Sequence, residues 1–358
     1  MKPPTWPLVV AVLLALAGGG LWRCAPQPLA APLVSTFSIV AYDPATGDVG
    51  VAVQSKFPNV RPVVPWVKAG VGAVATQSFA ELDYATKGLE LMTEGATAEE
   101  ALTIVLRGDE GRQQRQVGIV DAHGQAASWT GTQCFAWAGG RLGQPNGPPK
   151  AYGPEQGTNG TVVTGHGYTA QGNILVSQET VEAMARTFET TQGSLADRLL
   201  AALVAGGKAG GDQRGEQSAA LLVARKGAGY DGADNFIDLS VYDHPTPLAE
   251  LERLYRLNGL YFNTSRPENM VPVTPEVARE LQTIWQRRGF YDGPLDGRVD
   301  AQFQQILVDY MGWENYDMRI PQVQQVNLAA GEPLLIDREV LDDIRTVFRE
   351  GRWKPRVR

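Results

Sequence analysis

Thr36-Phe37-Ser38-Ile39-Val40-Ala41-Tyr42 and Val49-Gly50-Val51-Ala52-Val53-Gln54 are short β-branched and apolar runs, separated by the turn-rich Asp43-Pro44-Ala45-Thr46-Gly47-Asp48. Such a pattern predicts a β-hairpin. A third strand is expected over Val71 to Gln77, followed by helices around Tyr84 to Glu94 and Ala98 to Leu106. Thr97, with Glu100 three residues later, gives the second helix a capping box. Strands over Gln116 to Val120, Ala126 to Trp129, Cys134 to Ala138 and Tyr168 to Leu175 come next. Helices over Val181 to Thr190 and Leu195 to Leu203, strands over Ala219 to Ala224 and Phe236 to Tyr242, and a helix over Leu248 to Leu257 complete the series. Strand groups alternating with helix pairs point to an α+β protein, a four-layer αββα sandwich with the helices outside.

Around this core the chain divides further. Lys2 precedes an apolar stretch from Pro7 to Trp22, the length of a signal-peptide core and short for a bilayer span. Residues 1–34 are therefore read as a signal peptide or, if uncleaved, a membrane anchor, with export to the periplasm or cell envelope. Arg23 before Cys24 spoils a lipoprotein-type cleavage site, and Ala30, Ala31 and Ser35 offer no clean leader exit. Residues 35–262 form the main domain, and the Gly- and Pro-rich run from Gly139 to Gly167 reads as a long surface loop, a lid or a tolerated insertion. Residues 263–273 have linker composition. In 274–358, Val277, Leu281, Ile284 and Trp285 line one helix face and Phe303, Ile306, Leu307 and Tyr310 another, giving a small helical module. Its tail carries Arg345, Arg349, Arg352, Lys354, Arg356 and Arg358, a solvated helix end or a patch for an anionic surface.

Composition removes several function classes. The chain of 358 residues carries 32 basic against 39 acidic side chains, a net charge of -7, which gives no whole-chain attraction to a nucleic acid backbone. Its two cysteines make no disulfide framework. His123, His166 and His244 lack ligand partners at metal spacing, so neither a metal nor a cofactor is expected. Gly206-Gly207-Lys208-Ala209-Gly210-Gly211 lacks the ending of a phosphate-binding loop and reads as a helix-to-strand turn. No Gly-x-Ser-x-Gly elbow occurs, and a Cys134–His166 dyad has no support from spacing.

The segments Ser35 to Lys56, Ala69 to Gln77, Cys134 to Gly139, Ala170 to Leu175, Gly210 to Ala219 and Asp243-His244 resemble, in order, the bacterial domain of unknown function 1028 family. Residues 274–320, above all Gly289-Phe290-Tyr291-Asp292-Gly293-Pro294-Leu295-Asp296-Gly297, resemble a peptidoglycan-binding module. The first resemblance implies the N-terminal nucleophile hydrolase superfamily and its four-layer sandwich. In that chemistry the first residue of the mature chain attacks an amide carbonyl while its own α-amino group takes the proton. Thr36 is then the nucleophile, Ser35 its alternative, Lys56 a nearby charge and Asn173 an oxyanion donor. Gln77, Asp212 and Arg214 are the substrate-side candidates. Each has a plainer reading: Thr36 as a β-branched strand residue, Lys56 as a surface lysine, Asn173 as a turn former, Asp212 and Arg214 as a surface pair. The functional expectation is an exported amide hydrolase held at the wall by its C-terminal module; the alternative is a non-catalytic peptidoglycan-binding envelope protein.

Overall fold

The computed structural model describes residues 36–356. The expected leader over 1–34 and the alternative nucleophile Ser35 lie outside the described residues.

The first hairpin forms where the pattern places it. Strands β1 (Thr36–Asp43) and β2 (Asp48–Ser55) pair in register from Asp43↔Asp48 to Thr36↔Ser55. Asp43 closes the turn by accepting the Ala45 N–H at 2.9 Å. Strands β3 (Pro65–Lys68) and β4 (Gly72–Ser78) lead into α1 (Leu82–Thr93) and α2 (Ala98–Arg107). Both halves of the Thr97/Glu100 capping box are present at the start of α2. Then follow β5 (Arg115–Asp121), β6 (Gln125–Thr130), β7 (Gly139–Leu142), β8 (Lys150–Tyr152), β9 (Val162–His166) and β10 (Tyr168–Asn173). Helices α3 (Glu179–Thr190) and α4 (Leu195–Lys208), strands β11 (Ser218–Ala224) and β12 (Asn235–Val241), and helix α5 (Pro247–Phe262) come next.

The strands form two antiparallel sheets. One has seven strands in the order β12-β11-β2-β1-β10-β7-β8, the other five in the order β3-β4-β5-β6-β9. Helices α3 and α4 pack on the first, α1 and α2 on the second, and β1 and β10 meet β4 and β5 where the sheets face one another. The fold is thus mixed α and β, built on antiparallel sheets.

Three sequence expectations need correction. The Gly139 to Gly167 run is not a structureless loop, because it contributes β7 and β8 to one sheet and β9 to the other. Its glycines allow close strand approach, and that composition mimics a loop. Cys134 to Ala138 is not a strand but an irregular connection. Its backbone instead serves the chain after β10, Phe135 and Trp137 carbonyls accepting the Ile174 and Leu175 N–H groups at 3.0 and 3.1 Å. Helix α4 continues through Gly206 and Gly207, so the turn begins only at Ala209. The His166 of the rejected dyad pairs with Gln125 at one end of β6, whereas the Cys134 thiol lies at the other end of that strand, donating to the Arg115 carbonyl at 3.3 Å.

The C-terminal region is helical: α6 (Pro275–Arg288), α7 (Ala301–Trp313), α8 (Ile320–Gln324) and α9 (Arg338–Arg349). Part of the linker-like stretch is a strand, β13 (Met270–Pro272), which pairs with β14 (Leu335–Asp337). Trp285, Leu281, Phe303, Leu307 and Tyr310 share one core with Leu260 from the end of α5. Buried Arg319 joins the module to that helix, donating to the Gly259 and Leu260 carbonyls at 2.9 and 3.3 Å while paired with Asp337 and Glu339. In the basic tail, Arg345 pairs with Glu280 at 2.8 Å and Arg352 with Glu350 at 2.7 Å. Among the described residues no helix is long and apolar enough to cross a membrane.

Candidate active site

Strand alternation assigns the faces of β1. Phe37, Ile39 and Ala41 join the apolar core with α3 and α4, while Val40 joins the apolar core between the sheets. Thr36 and Ser38 share Val40's face and carry polar groups into the same layer. Both are fully buried.

Register brings four polar residues into one row across the larger sheet, since Asn173 pairs with Thr36, Thr36 with Ser55, and Ser55 with Ser218. The Thr36 hydroxyl donates to Ser55 Oγ at 3.1 Å. In the smaller sheet Gln77, Gln116 and Thr130 form a second row, and side-chain bonds tie the rows together. Gln77 Nε2 donates to the Thr36 carbonyl at 3.2 Å and to Gln116 Oε1 at 2.8 Å. Asn173 Nδ2 donates to the same Gln116 oxygen at 3.0 Å, and Gln116 Nε2 reaches Thr130 Oγ1 and the Gly172 carbonyl at 3.0 and 2.8 Å.

A second tier continues inward. Ser38 Oγ donates to Gln77 Oε1 at 2.6 Å and accepts from Gln171 Nε2 at 2.8 Å. Gln171 Oε1 accepts from Thr169 at 2.9 Å, and the Tyr152 hydroxyl bridges Thr169 and Ser128 at 3.4 and 2.7 Å. Burial pushes the Tyr152 phenol up to about 12, against the opposing bonds from Ser128 and Thr169. Gly118 is required beneath this tier, because a Cβ there would stand 2.4 Å from Gln171 Oε1. An inner layer of this kind persists only when its polar groups find partners.

The rim beyond Ser55 holds the charged candidates. Asp212 is buried and accepts from the Lys56 N–H at 3.2 Å and the Arg214 N–H at 2.9 Å. The Arg214 guanidinium contacts the same carboxylate at 3.2 and 3.1 Å and donates to the Lys56 carbonyl at 3.2 Å. The two residues therefore pair, with Asp212 enclosed. Lys56 is exposed, and its ammonium has no hydrogen-bond or ion-pair partner among the described residues. Positive φ values at Ser78 (71°) and Ile174 (53°) turn the chain sharply where β4 and β10 leave these rows. Cys134 lies beside this end, its thiol pushed up to about 11 by burial, which disfavours a nucleophilic thiolate.

Of the residues singled out from sequence, Thr36, Gln77 and Asn173 belong to one hydrogen-bonded cluster, and Lys56, Asp212 and Arg214 to the adjoining rim. Gln77 is fully buried and holds the Thr36 carbonyl rather than facing an opening. Sequence reasoning missed Ser55, Gln116, Ser38 and Gln171. The signal was available in part: Thr36 and Ser38 are polar at inward positions of a strand whose alternate residues are apolar.

Two segments of the chain, residues 36–147 and 145–251, match the family model described as a family of unknown function, DUF1028. The chain belongs to the DUF1028 family. Behind this DUF1028 region, residues 261–342 match a model described as "Putative peptidoglycan binding domain", which supports association with the cell wall. Among solved structures, the crystal structure of protein SPO2555 from Silicibacter pomeroyi, itself matched by the DUF1028 model, is similar at 28% identity and a TM-score of 0.52. That similarity covers 63% of this chain and 89% of the other. The comparison with curated proteins gives no match.

Proposed function

We propose that this protein is an exported amide hydrolase of the N-terminal nucleophile type, held at the cell wall by its C-terminal module. The layering of helix pair, sheet, sheet and helix pair supports reading the main domain as the four-layer αββα sandwich of that superfamily. The observation that carries the chemistry is the setting of Thr36. It heads an inner-face strand, with its hydroxyl 3.1 Å from Ser55 Oγ and its carbonyl held by Gln77.

Removal of the residues ahead of Thr36 would free its α-amine, whose ordinary pKa of about 8 suits a base at neutral pH. The hydroxyl oxygen then attacks the amide carbonyl carbon, and its proton passes to that amine. The amine returns the proton to the leaving nitrogen as the C–N bond breaks, leaving an ester on Thr36. Water, deprotonated by the same amine, cleaves the ester to a carboxylic acid and restores the hydroxyl. Asn173, Thr36's neighbour on β10, is the amide donor we assign to the oxyanion. Lys56, one residue beyond Ser55, supplies positive potential that favours the neutral amine. Asp212 and Arg214 fix the backbone at Lys56 and with it the rim.

The second reading, a non-catalytic wall-binding protein, is favoured by one observation: the Thr36 side chain is fully buried in the intact chain. Intact-mass measurement of the exported protein decides between them. A chain beginning at Thr36 is expected, with hydrolysis abolished in Thr36→Ala; a mature chain that begins upstream has no free amine at Thr36 and leaves only the binding role.

A further inference from the structure

A cleft of about 1330 Å³ lies between α5 with the segment after it and the C-terminal module. It is larger than the ~300–1,000 Å³ common for small-molecule sites. The arginines of its lining fall into two groups. Arg225, Arg253, Arg319 and Arg352 are each paired with a carboxylate. Arg256 on α5 and Arg266 beyond it are exposed, and neither guanidinium has a hydrogen-bond or ion-pair partner among the described residues.

The module side contributes carboxylates beside the paired Arg319 and Arg352. Asp342 and Asp343 of α9 line the cleft; Asp342 meets Arg345 at 3.3 Å, and among the described residues Asp343 accepts the neutral Tyr316 hydroxyl at 2.5 Å, with Arg352 near enough to feel its charge. The same lining holds aromatic surface: Tyr261, stacked on Tyr316 at 5.5 Å between ring centroids, and Phe262, which is 52% exposed. Guanidinium groups without a partner among the described residues, on α5 and the segment after it, together with carboxylates on α9 and aromatic rings in the same lining, complement a ligand carrying a carboxylate, an amine and an apolar or sugar-ring body.

We infer that this cleft binds a zwitterionic glycopeptide fragment of the cell wall, its carboxylate at Arg256 and Arg266 and its amine at Asp343. The inference rests on the wall-binding part of the function proposed above and places the ligand at the junction with α5 rather than on the module alone.

The test uses the full exported chain and a soluble disaccharide-tripeptide whose last residue has a free side-chain amine and carboxylate. Titration calorimetry on the wild type is expected to show binding. The Arg256→Glu/Arg266→Glu variant should weaken it about tenfold or more. Both positions are exposed, so an unchanged melting curve verifies folding. Asp343→Asn should weaken binding of the free-amine probe but not of the same probe with its amine acetylated, a dependence that mere structural damage would not produce. Sedimentation with purified sacculi separates the two levels. Wild type and double variant both sedimenting, with equal affinity for the soluble probe, overturns the cleft while sparing wall association; a wild type that fails to sediment removes both.

Discussion

Along β1, Phe37, Ile39 and Ala41 enter the layer beneath α3 and α4, whereas Thr36, Ser38 and Val40 enter the layer between the sheets. All six are fully excluded from solvent. On the helix side the strand joins an apolar cluster that includes Met184, Leu199 and Leu203. On the sheet side, near the Thr36 end, the strand meets a cluster of hydrogen-bonding groups: Gln77, Gln116, Gln171 and Asn173. Burial is the same, and the stabilising physics is not. The helix side gains from area and close packing, while the sheet side gains from mutual satisfaction of donors and acceptors that would each cost about 1–3 kcal/mol if left unmade.

The comparison breaks most visibly at Phe37. Replacing it with Ala empties a packed site and should cost about 3–5 kcal/mol in urea unfolding, whereas Phe37→Leu, nearer in volume, should cost under about 1.5 kcal/mol. On the other face volume is the wrong variable. Gln116→Leu keeps the bulk but strips bonds from Gln77, Asn173, Thr130 and the Gly172 carbonyl. A loss of about 3 kcal/mol is expected there. A cost no larger than that of Phe37→Leu would mean that the network is replaceable by packing and that the two faces follow one rule after all.

These two positions also show what the sequence makes legible. Phe37 and Ile39 alternate with Thr36 and Ser38 in TFSIVAY, so the hairpin and its two faces can be read directly. The helices are readable for the same reason, the capping box at Thr97 fixing one start to the residue. What cannot be read is which distant strand a polar inward residue meets. Gln77 and Gln116 are 39 positions apart, and their bond exists only because β4 and β5 pair in that register. The strands within Gly139 to Gly167 were hidden differently. Glycine lowers β propensity, yet Gly139 and Gly140 pair with Gly172 and Gln171, where closely packed neighbours leave no space for a Cβ. Of the candidate site, the end of β1 was visible, and Ser55 and Gln116 were not.

A smaller effect sharpens the same contrast through pH. Tyr152 closes the polar tier, and burial raises its phenol from 10.0 to about 12. A raised folded-state value means that the unfolded chain gives up this proton first as the solution becomes alkaline. The associated stability is whole below about pH 10 and is lost as pH climbs towards 12. Tyr152→Phe is expected to cost about 1 kcal/mol at neutral pH through the lost bonds to Ser128 and Thr169. Its denaturation midpoint should then fall less steeply than that of wild type between pH 10 and 12.

The smallest expected change in stability falls at Thr36, and there the structural and chemical readings separate. Thr36→Val preserves shape and β-branching and removes one donor, the 3.1 Å bond to Ser55. About 1 kcal/mol should be lost, because Val fills the same space and the Gln77 bond to the residue's carbonyl is untouched. If Thr36 is only a strand residue, nothing else follows from the exchange. If it is the nucleophile, hydrolysis by the mature chain should drop to the uncatalysed rate while the melting curve hardly moves, and Thr36→Ser, which restores an oxygen at that position, should recover part of it. Rate and stability measured on the same two variants therefore distinguish a hydroxyl kept for packing among polar neighbours from one kept for attack.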